Sequence, residues 1–138
     1  MSAHYRKTHK KYKANNDKSR CPFCTPETVA KSVLTTELCY VVPNITKYDV
    51  WELHDVTDHL LILPKRHVTK LQELTDQERL DIMNIAAKYE AKGYNVYARG
   101  KNFVKRSQEH QHTHLIKATN KRPWIFFYLS KPYFVFKK

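Results

Sequence analysis

Three histidines stand at alternate positions in Glu109-His110-Gln111-His112-Thr113-His114-Leu115-Ile116. In an extended chain the side chains at i, i+2 and i+4 point to one face, so this spacing makes a row of imidazoles about 6.6 to 6.8 Å apart along the backbone. Imidazole titrates near neutrality and, when neutral, offers one donor and one acceptor nitrogen. A row of this kind can bind a metal ion, or it can use one ring as a nucleophile while its neighbours hold a phosphate. Histidines paired on a strand also occur facing solvent or hydrogen-bonded, without chemistry. A helix over the same segment is disfavoured, because residues two apart on a helix do not share a face and Thr113, Leu115 and Ile116 favour extended structure.

A second group with chemical potential is Cys21-Pro22-Phe23-Cys24. Cys-x-x-Cys is half of a zinc site, and tetrahedral zinc needs two further ligands. The alternative is a pair of reduced, unliganded thiols. A redox-active pair is the weaker reading, since no thioredoxin-like βαβ pattern follows it. Three cysteines are too few for a disulfide scaffold, and an odd number fits a reducing compartment. The third, inside Leu38-Cys39-Tyr40-Val41-Val42, reads as a small buried hydrophobe.

The elements that must position these groups are short. Apolar runs at Glu37 to Val42 and Tyr48 to Leu53, separated by Pro43-Asn44, read as a hairpin or two neighbouring strands. His59-Leu60-Leu61-Ile62-Leu63, closed by Pro64, reads as a buried central strand. Thr75-Asp76-Gln77-Glu78 is a capping box. The helix it starts carries a broad apolar stripe over Leu80, Ile82, Met83, Ile85, Ala86, Ala87 and Tyr89, and Gly93 ends it. Tyr94 to Ala98 reads as a strand, Gly100 to Lys105 as a basic loop, and Gln108 to Ile116 as the strand bearing the histidines. Trp124 to Leu129 reads as a last apolar strand, with Tyr133 to Phe136 as a further one. Strands gathered around one helix with hairpin-length joins predict an α+β fold on a mostly antiparallel sheet.

At 138 residues, with 41% apolar and 12% aromatic side chains, the chain suits one folded domain. Its net charge of +12 is unevenly spread. Residues 1–20 hold seven Lys/Arg against Asp17, residues 21–98 hold eight against eleven acids, and residues 99–138 hold ten against Glu109. Positive charge therefore gathers on a basic extension over residues 1–20, read as flexible, and on the part of the domain over 21–138 that carries the histidines. Such a field concentrates phosphate-bearing ligands or nucleic acid. No apolar run approaches the roughly 18 residues of a membrane span, and the basic, polar N-terminus has no apolar h-region, so a cytoplasmic chain with no membrane contact is expected.

His110-x-His112-x-His114-Leu115-Ile116 resembles the signature of the histidine triad superfamily of nucleotide-binding hydrolases and transferases. His59 to His67, an apolar strand running into Pro-Lys-x-His, is similar to a second family stretch. Cys-Pro-Phe-Cys resembles the Cys-x-x-Cys of zinc-containing members. The three matches fall in the right order and span about residues 21 to 117.

The resemblance implies a sheet of about five antiparallel strands with one long helix, in a homodimer. It implies attack on the α-phosphorus of a nucleotide derivative by His112, through a nucleotidyl-histidine intermediate resolved by water or another acceptor. His114 would donate to a phosphate oxygen or the leaving group, His59 would be the fourth histidine near the nucleophile, and Ser107 matches a phosphate-contacting serine. Structural Zn2+ would be held by Cys21, Cys24, His67 and His110. In the loop before the triad the chain departs from the family pattern, with Arg99 at the place of an Asn and Arg106 at that of a Gln, ahead of Gln108. A guanidinium can take over phosphate binding bidentately, so Arg99, Arg106 and Gln108 join Ser107 as expected substrate contacts. The charge keeps a different class of function open: a zinc-stabilised basic module that binds RNA or other nucleic acid without turnover. A third reading makes the whole histidine row a water-activating zinc centre.

Overall fold

The computed structural model describes residues 21–52, 54–102 and 106–120. The expected basic extension over 1–20, Leu53, residues 103–105 of the basic loop, and the strands expected at Trp124 to Leu129 and Tyr133 to Phe136 lie outside the described residues.

The organising element is the 11-residue strand β4 (His54–Pro64). Its apolar second half is wholly buried because it is covered on both faces. Side chains alternate across a strand: Leu60 and Ile62 join Cys39, Val41 and Leu115 under the helix, while Leu61 and Leu63 pack with Val42 on the opposite face. Six strands form one antiparallel sheet in the order β1 (Leu34–Thr35), β2 (Cys39–Pro43), β4, β6 (Thr113–Ala118), β5 (Asn95–Ala98), with β3 (Val50–Trp51) also paired to β4. This is the expected α+β architecture. Pro22–Cys24 forms a single 3-10 turn, and Thr25 caps the one-turn helix α1 (Pro26–Val29).

The two runs on either side of Pro43-Asn44 are not a hairpin. β2 pairs with the second half of β4 (Pro43 opposite Leu60) and β3 with its start (Trp51 opposite His54), so each uses β4 as partner rather than the other. Glu52, at φ +49°, makes the tight β3–β4 turn.

Helix α2 (Asp76–Glu90) begins as expected: Thr75 Oγ1 accepts from the Glu78 amide and the Glu78 carboxylate accepts from the Thr75 amide at 2.8 Å. The helix proper ends at Glu90, and the chain leaves it through Gly93 at φ +84°. Its buried stripe is narrower than the sequence suggests. Ile82, Ile85 and Ala86 enter the core with Tyr89 partly buried beside them, whereas Leu80 and Met83 are about two-thirds exposed. A single sheet face covers only one arc of the helix and leaves the flank uncovered.

The strand carrying the histidines is also shorter than expected. Regular pairing with β4 starts at Thr113, opposite Ile62. Before that residue the chain turns toward the segment after β4, where the Gln111 amide donates to the Val68 carbonyl at 2.6 Å. His114 therefore lies within β6, while His110 lies in a bend and His112 in the irregular approach to the strand.

Candidate active site and metal centre

His59 on β4 and His114 on β6 share the sheet face opposite α2. In the register His59 lies opposite Ile116 and Leu61 opposite His114, so the two histidines are diagonal neighbours, close enough for long side chains to meet. His59 Nε2 and His114 Nδ1 are 2.8 Å apart. The backbone amide of Tyr48 donates to His59 Nδ1 at 3.1 Å, and the Asn44 amide group lies against the same ring. Because Nδ1 of His59 accepts, its Nε2 carries the proton and donates to His114 Nδ1. His114 must then carry its own proton on Nε2. That nitrogen is buried and has no hydrogen-bond partner among the described residues.

Through its Nδ1–H, His112 donates to the His110 carbonyl at 2.7 Å, which leaves the lone pair on Nε2. The rings of His112 and His114 are 5.0 Å apart. Burial depresses the basicity of all these rings. It is the main cause for His59, brought down to about 3, and for His114, brought down to about 2 with the charges of His112, His59 and Arg99 adding to it. His112 is lowered too, chiefly by burial and against the opposing pull of the His110 carbonyl. At neutral pH the site therefore holds a neutral imidazole with an available lone pair beside a neutral imidazole with an available N–H.

His112 and His114 line one cleft with Arg99, Ser107 and Gln108, and Phe23, Val42 and Leu61 form its apolar wall. Among the described residues, Arg99 is the one formally charged side chain in that lining. Its Nη2 donates to the Tyr48 hydroxyl at 2.5 Å, and its guanidinium lies 5.7 and 5.9 Å from the rings of Tyr48 and Tyr97. Both tyrosine rings in turn contact His114.

Arg106, expected to touch substrate, is engaged elsewhere. Its guanidinium donates to the carbonyls of Thr69 (2.9 Å), Gln108 (3.0 Å) and Glu109 (2.7 Å) and to Gln111 Oε1 (3.2 Å). A loop with few internal backbone hydrogen bonds needs a donor for its carbonyls, and Arg106 supplies it, clamping the approach to β6 onto the segment after His67. Phe23, Asn44 and Tyr48 were not foreseen as site residues. Phe23 was visible only as the x of Cys-Pro-x-Cys, Asn44 as turn punctuation, and nothing in the sequence marks Tyr48.

Cys21, Cys24, His67 and His110 come together with their ligand atoms all within 4.8 Å of one another, an arrangement that can hold a metal ion. Cys24 Sγ is 3.3 Å from His110 Nδ1 and 3.4 Å from His67 Nδ1, and Cys21 Sγ is 3.5 Å from His110 Nδ1. Zn–S bonds of about 2.3 Å and Zn–N bonds of about 2.0 Å at tetrahedral angles would put S and N roughly 3.5 Å apart, so the set fits that ion. His110 Nε2–H donates to the Pro64 carbonyl at 2.9 Å, which fixes the tautomer that aims the Nδ1 lone pair at the sulfurs. Burial and the adjacent Cys21 push the Cys24 thiol up to about 11, a penalty on ionisation that a bound cation reverses. His112 and His114 are not part of this cluster, and each has its Nδ1 engaged, so a zinc centre built on the whole histidine row is not what the fold assembles. Phe23, between the two cysteines, meets the His110 and His112 rings at 6.0 and 5.3 Å. The cysteine–histidine cluster and the cleft thus share a wall.

No protein-family model and no curated protein matches the sequence. Solved structures do match the fold. A histidine triad (HIT) family hydrolase from Clostridium thermocellum superposes with a TM-score of 0.57 at 18% identity, covering 80% of this chain and all of the other. A histidine triad nucleotide-binding protein from Candida albicans gives 0.57 at 20% identity, covering 83% of this chain and 86% of the other. A HIT family hydrolase from Legionella pneumophila gives 0.54 at 21% identity, covering 76% and 97%. At these identities the likeness is one of architecture, and the architecture of this chain is the histidine triad fold.

Proposed function

We propose that the chain is a histidine triad enzyme that hydrolyses or transfers nucleotidyl groups by attack at the α-phosphorus of a nucleotide derivative. The observation that carries this reading is the set of tautomers fixed by the surrounding hydrogen bonds: a lone pair on His112 Nε2 and, beside it, a buried N–H on His114 Nε2 without a partner among the described residues, both rings lining one cleft. A nucleophile and an oxyanion donor held in place before the substrate arrives are what displacement at phosphorus requires, since its transition state spreads negative charge over the phosphoryl oxygens. His112 forms the nucleotidyl intermediate, His114 donates to an oxygen, and His59 acts through His114 as a positioning residue. Ser107, Gln108 and Arg99, which line the same cleft, would contact the phosphate.

Zn2+ held by Cys21, Cys24, His67 and His110 would be structural, stapling the Cys-Pro-Phe-Cys segment, and with it Phe23, against the cleft. A homodimer agrees with the exposed Leu80, Met83 and Val96. Among the described residues no helix is long and apolar enough to cross a membrane. The rival reading, a nucleic-acid-binding module without turnover, rests on the net charge of +12 and leaves the buried His59–His114 pair without a task.

The test is His112→Asn. Turnover of a nucleoside 5′-phosphoramidate or a dinucleoside polyphosphate should vanish, and wild-type protein trapped by acid quench should carry a nucleotidyl mass on His112. Zinc content should be kept in His112→Asn and lost in Cys24→Ser. Full activity in His112→Asn would refute the assigned role, and salt-dependent oligonucleotide binding with no turnover by the wild type would favour the rival.

A further inference from the structure

We propose that Arg99 reads the charge of the leaving group, so that the cleft favours substrates in which a nucleoside monophosphate is joined to further phosphate over those in which it is joined to an amine. This rests on the nucleotidyl-transfer reading above. The argument starts from the charge inventory of the cleft. Among the described residues its lining contains no carboxylate and one cation, Arg99, at the end of β5. The Tyr48 hydroxyl and the rings of Tyr48 and Tyr97 hold that guanidinium, and the same two rings contact His114. The cation is therefore built into the side of the cleft where His114 presents its buried Nε2–H.

The two kinds of leaving group make opposite demands. When His112 Nε2 forms its bond to the α-phosphorus, the bond from phosphorus to the bridging atom breaks and that atom keeps the electron pair. A bridging oxygen of a phosphoanhydride departs as a phosphate oxyanion, which needs no proton but does need fixed positive charge. An amine nitrogen must acquire a proton as it departs. His114, buried and neutral, offers a hydrogen bond but no ready proton. Water then attacks the phosphorus, the N–P bond breaks with its pair returning to His112 Nε2, and one water proton passes to solvent. A guanidinium stays charged through this cycle and matches oxyanions bidentately.

The experiment compares kcat/KM for P1,P3-di(adenosine-5′) triphosphate and adenosine 5′-phosphoramidate in the wild type, Arg99→Lys and Arg99→Gln, with a thermal melt to confirm that each variant folds. The wild type should favour the triphosphate. In Arg99→Gln that preference, the ratio of the two values, should fall about 10- to 100-fold, the loss of one charge-assisted contact. Arg99→Lys, a point charge without the fork, should fall between. A wild type that prefers the phosphoramidate, or an Arg99→Gln variant that leaves the ratio unchanged by slowing both substrates equally, would overturn the assignment while the nucleotidyl-transfer reading stands. Absence of turnover of either compound, with no adduct on His112, would remove both together.

Discussion

Lowering the pH from 7 to 5 should cost this protein stability through two particular rings. His59 is completely buried and His114 nearly so, and burial holds them near 3 and near 2, against about 6.5 for an exposed histidine. The sign follows from linkage. In the unfolded chain both rings take up a proton below about 6.5, whereas in the fold they remain neutral. The unfolded state then binds more protons, and stability falls as pH falls. Between pH 7 and pH 5 each ring contributes a loss of about 2 kcal/mol, about 4 kcal/mol together, a large part of the roughly 5–15 kcal/mol that holds a domain folded. The assay is urea unfolding at pH 7, 6 and 5 for the wild type and for His59→Gln, which keeps a hydrogen-bonding amide in place of the ring. Taking the difference between the two proteins cancels every other group that titrates in this range, including the cysteine–histidine cluster. The variant should be less stable at pH 7 but should lose about 2 kcal/mol less on going to pH 5. His114→Gln should behave likewise, so the result does not depend on one variant folding. Equal losses in the wild type and both variants would show that the rings are protonated, or solvated, in the folded state, and the tautomer assignment of the site would fail with them.

Two further outcomes follow from the hydrogen bonds around the site. The Arg66 guanidinium and the Thr75 amide hold the Glu78 carboxyl down to about 2. Its contribution is thus present above about 4.5 and lost as pH falls toward 2, and Glu78→Gln should reduce stability by about 2 kcal/mol at pH 7, with the gap to the wild type narrowing as pH falls below about 4.5, read by denaturant midpoints. Arg106→Met should cost about 2–3 kcal/mol, because it strips donors from three loop carbonyls and Gln111 at once. Arg106→Lys should recover only part of that. A kcat/KM loss in Arg106→Met confined to KM for all substrates would instead indicate direct contact with the ligand.

The sequence by itself determined the element types and the chemically active groups, because both are written locally. A continuous apolar run closed by a proline makes the second half of β4, a capping box starts α2, and the spacings His-x-His-x-His and Cys-x-x-Cys each bring their own ligands or rings within reach. It also determined the fold class and, through resemblance to the histidine triad pattern, the architecture. Which groups work together is a matter of sequence separation, and only the tertiary structure decided it. His59 meets His114 because of the β4–β6 register. β2 and β3 pair with β4 rather than with each other because a long strand offers each a partner segment. Arg99 and Arg106 look alike in sequence, two arginines flanking one basic loop, and their fates differ: one is held by tyrosines in the cleft, and the other donates to the carbonyls of Gln108 and Glu109 beside it and of Thr69 in the segment after β4. Likewise Leu80 and Met83 fit a helical stripe as well as Ile82 and Ile85 do, and remain outside the core because a flat sheet covers only one arc of a cylinder. A side chain's chemistry is a property of its residue type, but its partners are set by what the rest of the chain brings within a few ångströms of it.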